Sequence, residues 1–524
     1  MPLNLHYKRK TIFRILGWSL FLFVFFAAAA FTGCDPAYFF ARRSHLTDLA
    51  ADIIRPDFSY LPKIVAPLFY TLQMSVTGTI LGSVLALFAA PAGSVALQFP
   101  AFFRRFTRFV IQILRSFPAL VLALIATFLF GLGTFAGTAA ITLYTFAIMT
   151  KLTYEDADSS NLSAYLALRS MGCSAFPAFF HTVLPEILPS YLTNALYLLE
   201  TNVRHSSILG YVGAGGIGLI LNEKISWREF HKVGAILLLL FLAVCVIESI
   251  SRALSGLIRR EFLLQTSSGL HRKYMLRLLS LALIFLFACC LITQTPPDFS
   301  HTSPGNLQHM LSGFLHPNWS FFFSMKKDGL LYLLIETVCI SIVGTGIGAL
   351  IAAPLAFFGT RRFTPVPVCA LFQLLVIAIR SVPFLIYGLI FIRVSGPGAF
   401  TGVLTLAMCS IGLLTKRFTE CLDALDLGPY RALLAMGIAP LAAIRHAIFP
   451  QIAPVFASAI LYRFDVNIRE ASVLGLVGAG GIGAPLIFAM NKYNWSQAGA
   501  ILLGLIVLVW IVDTMSGKLA TPKT

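Results

Sequence analysis

The sequence has little charge, and little of what it has is negative. Only 12% of its 524 residues are Asp, Glu, Lys or Arg, with 22 acidic side chains against 39 basic ones, while 58% are hydrophobic. A mean hydropathy of +0.83 excludes an ordinary soluble domain and leaves a chain with many stretches long enough to cross a bilayer. The net charge of +17 does not indicate a nucleic-acid partner. The basic residues sit in short clusters between apolar runs, where they set topology and anchor the chain to membrane lipid. The nine cysteines are scattered. With no C-x-x-C and no Cys/His group at ligand spacing, neither a disulfide framework nor a zinc site is indicated, and no metal or cofactor is expected. There is also no Gly-x-x-x-x-Gly-Lys-[Ser/Thr] phosphate loop, so the chain does not hydrolyse ATP by that mechanism. No nucleophile–base pair stands out either, and an enzyme acting on its substrate is not expected.

What is present comes twice. Asn202 to Gly218, N-V-R-H-S-S-I-L-G-Y-V-G-A-G-G-I-G, returns at Asn467 to Gly483 as N-I-R-E-A-S-V-L-G-L-V-G-A-G-G-I-G, at a constant offset of 265 residues (478 − 213 and 469 − 204). Between Arg115–Gly218 and Arg380–Gly483 the two copies align without a gap. Over Arg169 to Gly218 roughly 20 of 50 positions are identical, more than shared hydrophobicity supplies. Gly213-Ala214-Gly215-Gly216-Ile217-Gly218 matches the G-x-G-x-x-G dinucleotide pattern, but its context is wrong. An apolar helix-like segment precedes it, and another apolar run, Ala235 to Ala243, stands where the acidic ribose ligand belongs. The remaining readings are close helix packing and a backbone segment that each half contributes to a shared site.

In chain order, Lys8-Arg9-Lys10 precedes the apolar run Ile12 to Phe31, read as a retained span. Phe31-Thr32-Gly33-Cys34 also resembles a lipoprotein processing site, with Phe where Leu is usual. The same design, basic cluster then span, recurs at Arg272-Lys273 and Tyr274 to Ile292. Polar segments Asp35 to Lys63 and Thr293 to Asp328 are expected outside. Further spans are expected near Ile64 to Ala90 and Leu331 to Phe358, then Phe109 to Gly131 and Leu371 to Val394, then Phe135 to Thr150 and Phe400 to Thr415. Thr71, Ser75, Gly78, Thr79 and Gly82 match Thr337, Ser341, Gly344, Thr345 and Gly348, a small-residue face for tight helix contact. Arg115-Ser116-x-Pro118 and Arg380-Ser381-x-Pro383 are shared, and their arginines are expected to anchor helix ends on the cytoplasmic side. Polar loops follow, Lys151 to Pro185 and Lys416 to Pro450. Each leads to one more span, the glycine motif and a last span, Val233 to Leu254 and Ala498 to Val512. Six spans per half, about twelve in all, put Arg104, Arg105, Arg108, Arg361, Arg362, Arg252, Arg259, Arg260, Lys518 and Lys523 inside.

Each polar loop carries Met-Gly, then His, then two prolines: Met171, Gly172, His181, Pro185 and Pro189, matched by Met436, Gly437, His446, Pro450 and Pro454. The spacing predicts a helix, a glycine turn, a second helix and a stop before the chain re-enters the membrane. This loop resembles the EAA loop of ATP-binding cassette importer permeases, although the opening Glu is absent from Leu166-Ala167-Leu168-Arg169-Ser170-Met171-Gly172 and from Arg431-Ala432-Leu433-Leu434-Ala435-Met436-Gly437. Together with Tyr197, Glu200, Asn202, Arg204 and Leu209 to Gly218, and Tyr462, Asp465, Asn467, Arg469 and Leu474 to Gly483, it is similar to permeases of phosphonate importers, whose relatives carry phosphite.

The resemblance implies an all-α multi-pass protein of the bacterial cytoplasmic membrane. It would consist of two homologous type I importer permease halves of about six spans each, fused in one chain. The expected organisation is an N-terminal span and outer segment (1–63), a first permease domain (64–255), a linking span and outer segment (256–330) and a second permease domain (331–524). It further implies two copies of a cytoplasmic ATPase engaging the Met171–Pro185 and Met436–Pro450 loops, an extracytoplasmic solute-binding protein, and a phosphonate-like anion as substrate. Glu200 with Arg204, and Asp465 with Arg469, are spaced for helical ion pairs. The alternative is that Arg204 and Arg469 face the pathway and attract the anion. Asn202, Asn467 and the glycines Gly213, Gly215, Gly216, Gly218, Gly478, Gly480, Gly481 and Gly483 are assigned to that pathway, the glycines as non-helical gate segments. The rivals are importers for methionine, phosphate or betaine, an ion-coupled carrier, and a membrane enzyme that binds a nucleotide at the glycine motif.

Overall fold

A computed structural model describes residues 19–20, 22–35, 37, 42–263, 304–362 and 364–520. The clusters Lys8-Arg9-Lys10 and Arg272-Lys273, the span Tyr274 to Ile292 and Lys523 lie outside the described residues, whose regular elements are all helices, with no strand among them. Among the described residues seven helices are long and apolar enough to cross a membrane, or up to nine if each of two bent pairs is one crossing. The chain forms two compact units, Asp48–His309 and Met310–Thr524 joined by Met1–Thr47.

Helix α1 (Leu22–Phe31) belongs to the second of these units, and α2 (Arg43–Ile54) follows it. In the first unit α3 (Leu61–Gly93) is followed by α4 (Ala101–Ser116), α5 (Ala119–Phe130) and α6 (Thr134–Ser159). The small-residue face packs as expected, α3 against α6. A Cβ on Gly78 would stand 2.7 Å from Ile141, and one on Gly82 2.6 Å from the Thr142 carbonyl, so only hydrogen fits. The expected span Phe109 to Gly131 is a correction: it is two helices bent by 94° at Phe117-Pro118. Pro118 has no N–H to continue α4, and it drives Phe117 into extended conformation (φ −83°, ψ 128°). Arg115 therefore lies in the last turn of α4, at this bend.

After α6, which continues nine residues into the expected polar loop, come α7 (Ser163–Ser170), a short turn Ala175–Ala178, a π-helical turn Phe179–Val183, α8 (Leu184–Leu209), a 3₁₀ turn Gly210–Val212, α9 (Ile217–Ser226) and α10 (Phe230–Leu263).

The second unit repeats this plan. After α11 (Pro304–Leu315) come α12 (Leu330–Gly359), α13 (Val366–Ser381), α14 (Phe384–Ser395), α15 (Ala399–Asp423), α16 (Gly428–Ala435), α17 (Phe449–Leu474), α18 (Gly483–Asn491) and α19 (Trp495–Ala520). The α13–α14 pair bends by 86° at Val382-Pro383, which corrects the continuous span expected over Leu371 to Val394 and places Arg380, 8% exposed, at the bend. The offset of 265 extends to backbone detail. Left-handed Gly131, Gly133, Gly172, Gly213, Gly215 and Gly216 match Gly396, Gly398, Gly437, Gly478, Gly480 and Gly481, and the non-glycine Arg228 matches Tyr493. Helix α1 packs on α12, with the Phe31 ring 5.3 Å from that of Tyr332, and the Phe25 ring fills the space a side chain at Gly346 would need.

Candidate functional site

The loop between α6 and α8 is built around Gly172, whose φ of +87° ends α7 and leaves Met171 81% exposed. In the other half Gly437 ends α16 at +79°, with Met436 75% exposed. Past this point the expected stop is corrected. Pro185 does not end a helix; the chain runs through it into α8. Lacking an N–H, Pro185 leaves the His181 carbonyl without its ordinary partner, and the Leu184 N–H reaches back five residues to the Phe179 carbonyl, opening a π turn. Pro450 does the same, with the Phe449 N–H bonded to Ile444. Both histidines lie in these turns, exposed.

Asn202 and Asn467, expected at the pathway, are both fully buried. The Asn202 amide donates to Thr79 and Thr145, each at 2.8 Å, tying α8 to α3 and α6. Asn467 donates to Thr345 and to Ser410 at 2.9 Å. The amide orientation is dictated by its partners. The Thr79 and Thr345 hydroxyls already donate to the Ser75 and Ser341 carbonyls, so they are left only able to accept. Beside Asn202, the Ser75 and Ser206 hydroxyls lie 2.6 Å apart.

The arginines of the motif form the anticipated i,i+4 ion pairs. Arg204 Nη1 is 2.8 Å from Glu200, and Arg469 pairs with Asp465; the arginine side chains are 12% and 16% exposed. A second buried pair, Arg463 Nη2 with Glu470 at 2.7 Å, exists only in the second half, where Arg463 also donates to Ser410. Its first-half counterparts are Leu198 and His205.

The glycine motif makes a 3₁₀ turn, then a left-handed stretch, then a helix. Gly213, Gly215 and Gly216, and Gly478, Gly480 and Gly481, take φ between +75° and +87°, which only glycine adopts at little cost. The turn is stitched to its own half: the Gly133 N–H donates to the Gly213 carbonyl at 3.1 Å, and Thr71 Oγ1 accepts from Ile217 at 2.8 Å. The equivalents are Gly398 to Gly478 at 2.9 Å and Ile482 to Thr337 at 3.3 Å. Gly218 and Gly483 depart from the non-helical assignment. They open α9 and α18, where a Cβ would meet the Ser207 carbonyl at 2.2 Å or the Ser472 carbonyl at 2.7 Å. Tight backbone contact, rather than dihedral freedom, requires glycine there.

Sequence reasoning missed Asp158 and Asp423, related by the same offset. Asp158 accepts from the Ser94 hydroxyl, the Val95 N–H at 2.9 Å and the Ala96 N–H at 3.1 Å, and pairs with Arg108 at 3.2 Å, closing the turn after α3. Asp423 binds Thr360, the counterpart of Ser94. Recurrence at 265 was the available signal.

The chain matches the model of the family described as binding-protein-dependent transport system inner membrane component twice, over residues 78–261 and 344–517. It is 28% identical to the phosphate-import permease protein PhnE of Mycolicibacterium smegmatis, over 85% of this chain and 83% of that one. It is 40% identical to the phosphite transport system permease protein PtxC of Stutzerimonas stutzeri, over 36% of this chain and 68% of that one. It is also 37% identical to a putative cryptic phosphonate transport system permease protein of Escherichia coli, over 22% of this chain and 96% of that one. Two copies of the family's domain, in the segments where helices, turns and left-handed glycines repeat, make this chain a member of the binding-protein-dependent transport system inner membrane components, a multi-pass protein of the bacterial inner membrane.

Proposed function

We propose that this chain supplies both transmembrane halves of an ATP-driven importer whose cargo is a phosphorus oxyanion: a phosphonate, phosphite or phosphate. The observation that carries the cargo class is the near full-length similarity to a permease named for phosphate import, joined by the 40% identity to one named for phosphite. In this reading a cytoplasmic ATPase, present in two copies, receives the loops that expose Met171 and Met436. His181, Pro185, His446 and Pro450 form the π turns that link those loops to α8 and α17. A solute-binding protein delivers the anion at the opposite face.

Each half offers one guanidinium to the substrate route, Arg204 and Arg469, held neutral by Glu200 and Asp465 while the route is empty. A bare buried charge would be costly. A dianion can replace the carboxylate because a planar guanidinium binds phosphate oxygens bidentately. The left-handed glycines Gly213, Gly215, Gly216, Gly478, Gly480 and Gly481 are the gate segments in this proposal, and Gly218 and Gly483 seat them against α8 and α17. Non-helical backbone of this kind is tolerated at membrane depth when its polar groups are satisfied by protein, as the Gly213 carbonyl is by Gly133. The test is reconstitution with the cognate ATPase and binding protein. Phosphonate, phosphite or phosphate should stimulate ATP hydrolysis and accumulate in the vesicle; stimulation by methionine or betaine instead would overturn the cargo assignment.

A further inference from the structure

Helix α4 carries an aromatic face that stays more than half exposed. Phe102, Phe103, Phe106 and Phe109 are 72, 56, 57 and 65% exposed, with Phe102 and Phe106 stacked at 6.2 Å. At 100° per residue these four fall on one side of the helix, Arg104 and Arg108 on the other, and Arg105 at the border. Arg108 is engaged: it donates to the Gly93 carbonyl at 2.7 Å, pairs with Asp158 and lies 4.8 Å from the centre of the Tyr154 ring. Arg104 and Arg105 have no side-chain partner among the described residues. They are the fourth and fifth residues of a helix whose N-terminal end is itself positive, a placement that helix electrostatics disfavours.

The repeat separates what packing requires from what is particular to this half. Gln373 replaces Arg108 and makes the equivalent bond to the Gly359 carbonyl at 3.0 Å, so the packing role is kept. The unpartnered features are not: Arg104 and Arg105 become Cys369 and Ala370, and the four phenylalanines become Pro367, Val368, Leu371 and Leu374. In the second half the basic residues stand in the loop instead, where Arg362 is bonded to the Leu425 carbonyl.

We propose that Arg105, at the border of the aromatic face, and its neighbour Arg104, further round the helix, bind the phosphate of an anionic phospholipid at one site in the first half. Guanidinium groups match phosphate oxygens in charge and in geometry, and aromatic rings next to a cationic patch suit the headgroup boundary of a bilayer. A free phosphate would satisfy the arginines and leave four exposed rings bare; a lipid satisfies both.

The test uses the purified full chain in detergent, with retained lipid read by native mass spectrometry after addition of phosphatidylglycerol, phosphatidylcholine or inorganic phosphate. Wild type should retain phosphatidylglycerol over phosphatidylcholine, and inorganic phosphate should not displace it. An Arg104→Gln/Arg105→Gln variant should lose about five-fold in affinity per arginine, roughly thirty-fold in all, with phosphatidylcholine unaffected. The Arg104→Lys/Arg105→Lys variant keeps the charge that sets topology, and so keeps a folded control, but loses the planar fork; it should fall between the two. Equal retention of both lipids by wild type, displacement by inorganic phosphate, or wild-type affinity in either variant would overturn the proposal.

Discussion

The Asn202 amide and the Thr145 hydroxyl, 57 residues apart in the chain, lie 2.8 Å from each other in the interior of the first half, and Asn467 and Ser410 repeat the contact at the same separation. Each asparagine joins three helices through two N–H donors, so it acts as a strut. Asn202→Leu or Asn467→Leu strands buried hydroxyls and should lower stability by about 1–3 kcal/mol, read as an earlier thermal unfolding transition in detergent. Asn202→Asp, which cannot donate, should do no better. Unchanged unfolding would remove the strut role.

The gate glycines are not equivalent. A Cβ on Gly480 would lie 2.8 Å from the Ala399 backbone, whereas one on Gly215 would meet nothing closer than 3.6 Å. Both substitutions incur the left-handed penalty of about 1–2 kcal/mol, but only Gly480→Ala adds a clash with backbone. Gly480→Ala should abolish uptake in a proteoliposome assay and Gly215→Ala should weaken it. Equal effects would show that the dihedral angle alone matters.

At Glu200 and Arg204 structure and transport can be separated. Arg204→Gln removes the ion-pair partner of the buried Glu200 carboxylate and should destabilise the first half. The Glu200→Gln/Arg204→Gln double variant should regain stability, because removing both partners is far less costly than removing one. If Arg204 meets the anion, uptake stays low in the double variant, as it should in Asp465→Asn/Arg469→Gln. Recovery of uptake along with stability would reduce the pair to a packing element.

Asp158 concentrates several bonds in one carboxylate. Asp158→Ala removes the acceptor of the Val95 and Ala96 N–H groups and the ion-pair partner of Arg108 together, and should cost about 1–3 kcal/mol. Hydrogen exchange over residues 93–100 should quicken while that over α8 is unchanged.

The segment after α9 carries a pH dependence. Glu229 is held below its ordinary value of 4.5 by hydrogen bonds from Lys232 and Lys224. Burial acts to lower the Lys224 pKa, but its bonds to Glu223 and Glu229 outweigh this and raise it above 10.5. A lowered carboxylate contributes stability above its unfolded pKa and loses it as pH falls through the folded one. A raised ammonium contributes below its unfolded pKa and loses it as pH rises through the folded one. Protection of residues 222–232 should therefore be flat from about pH 5 to 10 and fall on both sides, and Glu229→Gln should abolish the acid limb.

Much of this was legible in the chain. The 265-residue offset, the glycine turns at Gly172 and Gly437 and the i,i+4 pairs at Glu200–Arg204 and Asp465–Arg469 depend only on residues close in sequence or on recurrence. The bends at Pro118 and Pro383 were not recovered, since a proline inside an apolar run is compatible with a kinked span as well as with a break. The roles of Asn202 and Asp158 were hidden because their partners lie on other helices.

By itself the sequence determined that this protein is a duplicated, helical membrane protein, and which short motifs are shared by its halves. Composition, periodicity and repetition are properties that a segment carries alone. Tertiary structure decided which polar side chains are struts and which remain available, and it decided that the prolines of the polar loops widen a helix instead of ending it. A hydrogen bond or a close backbone approach has no address until two distant helices lie side by side, and only packing brings Asn202 to Thr145 or Arg108 to Asp158.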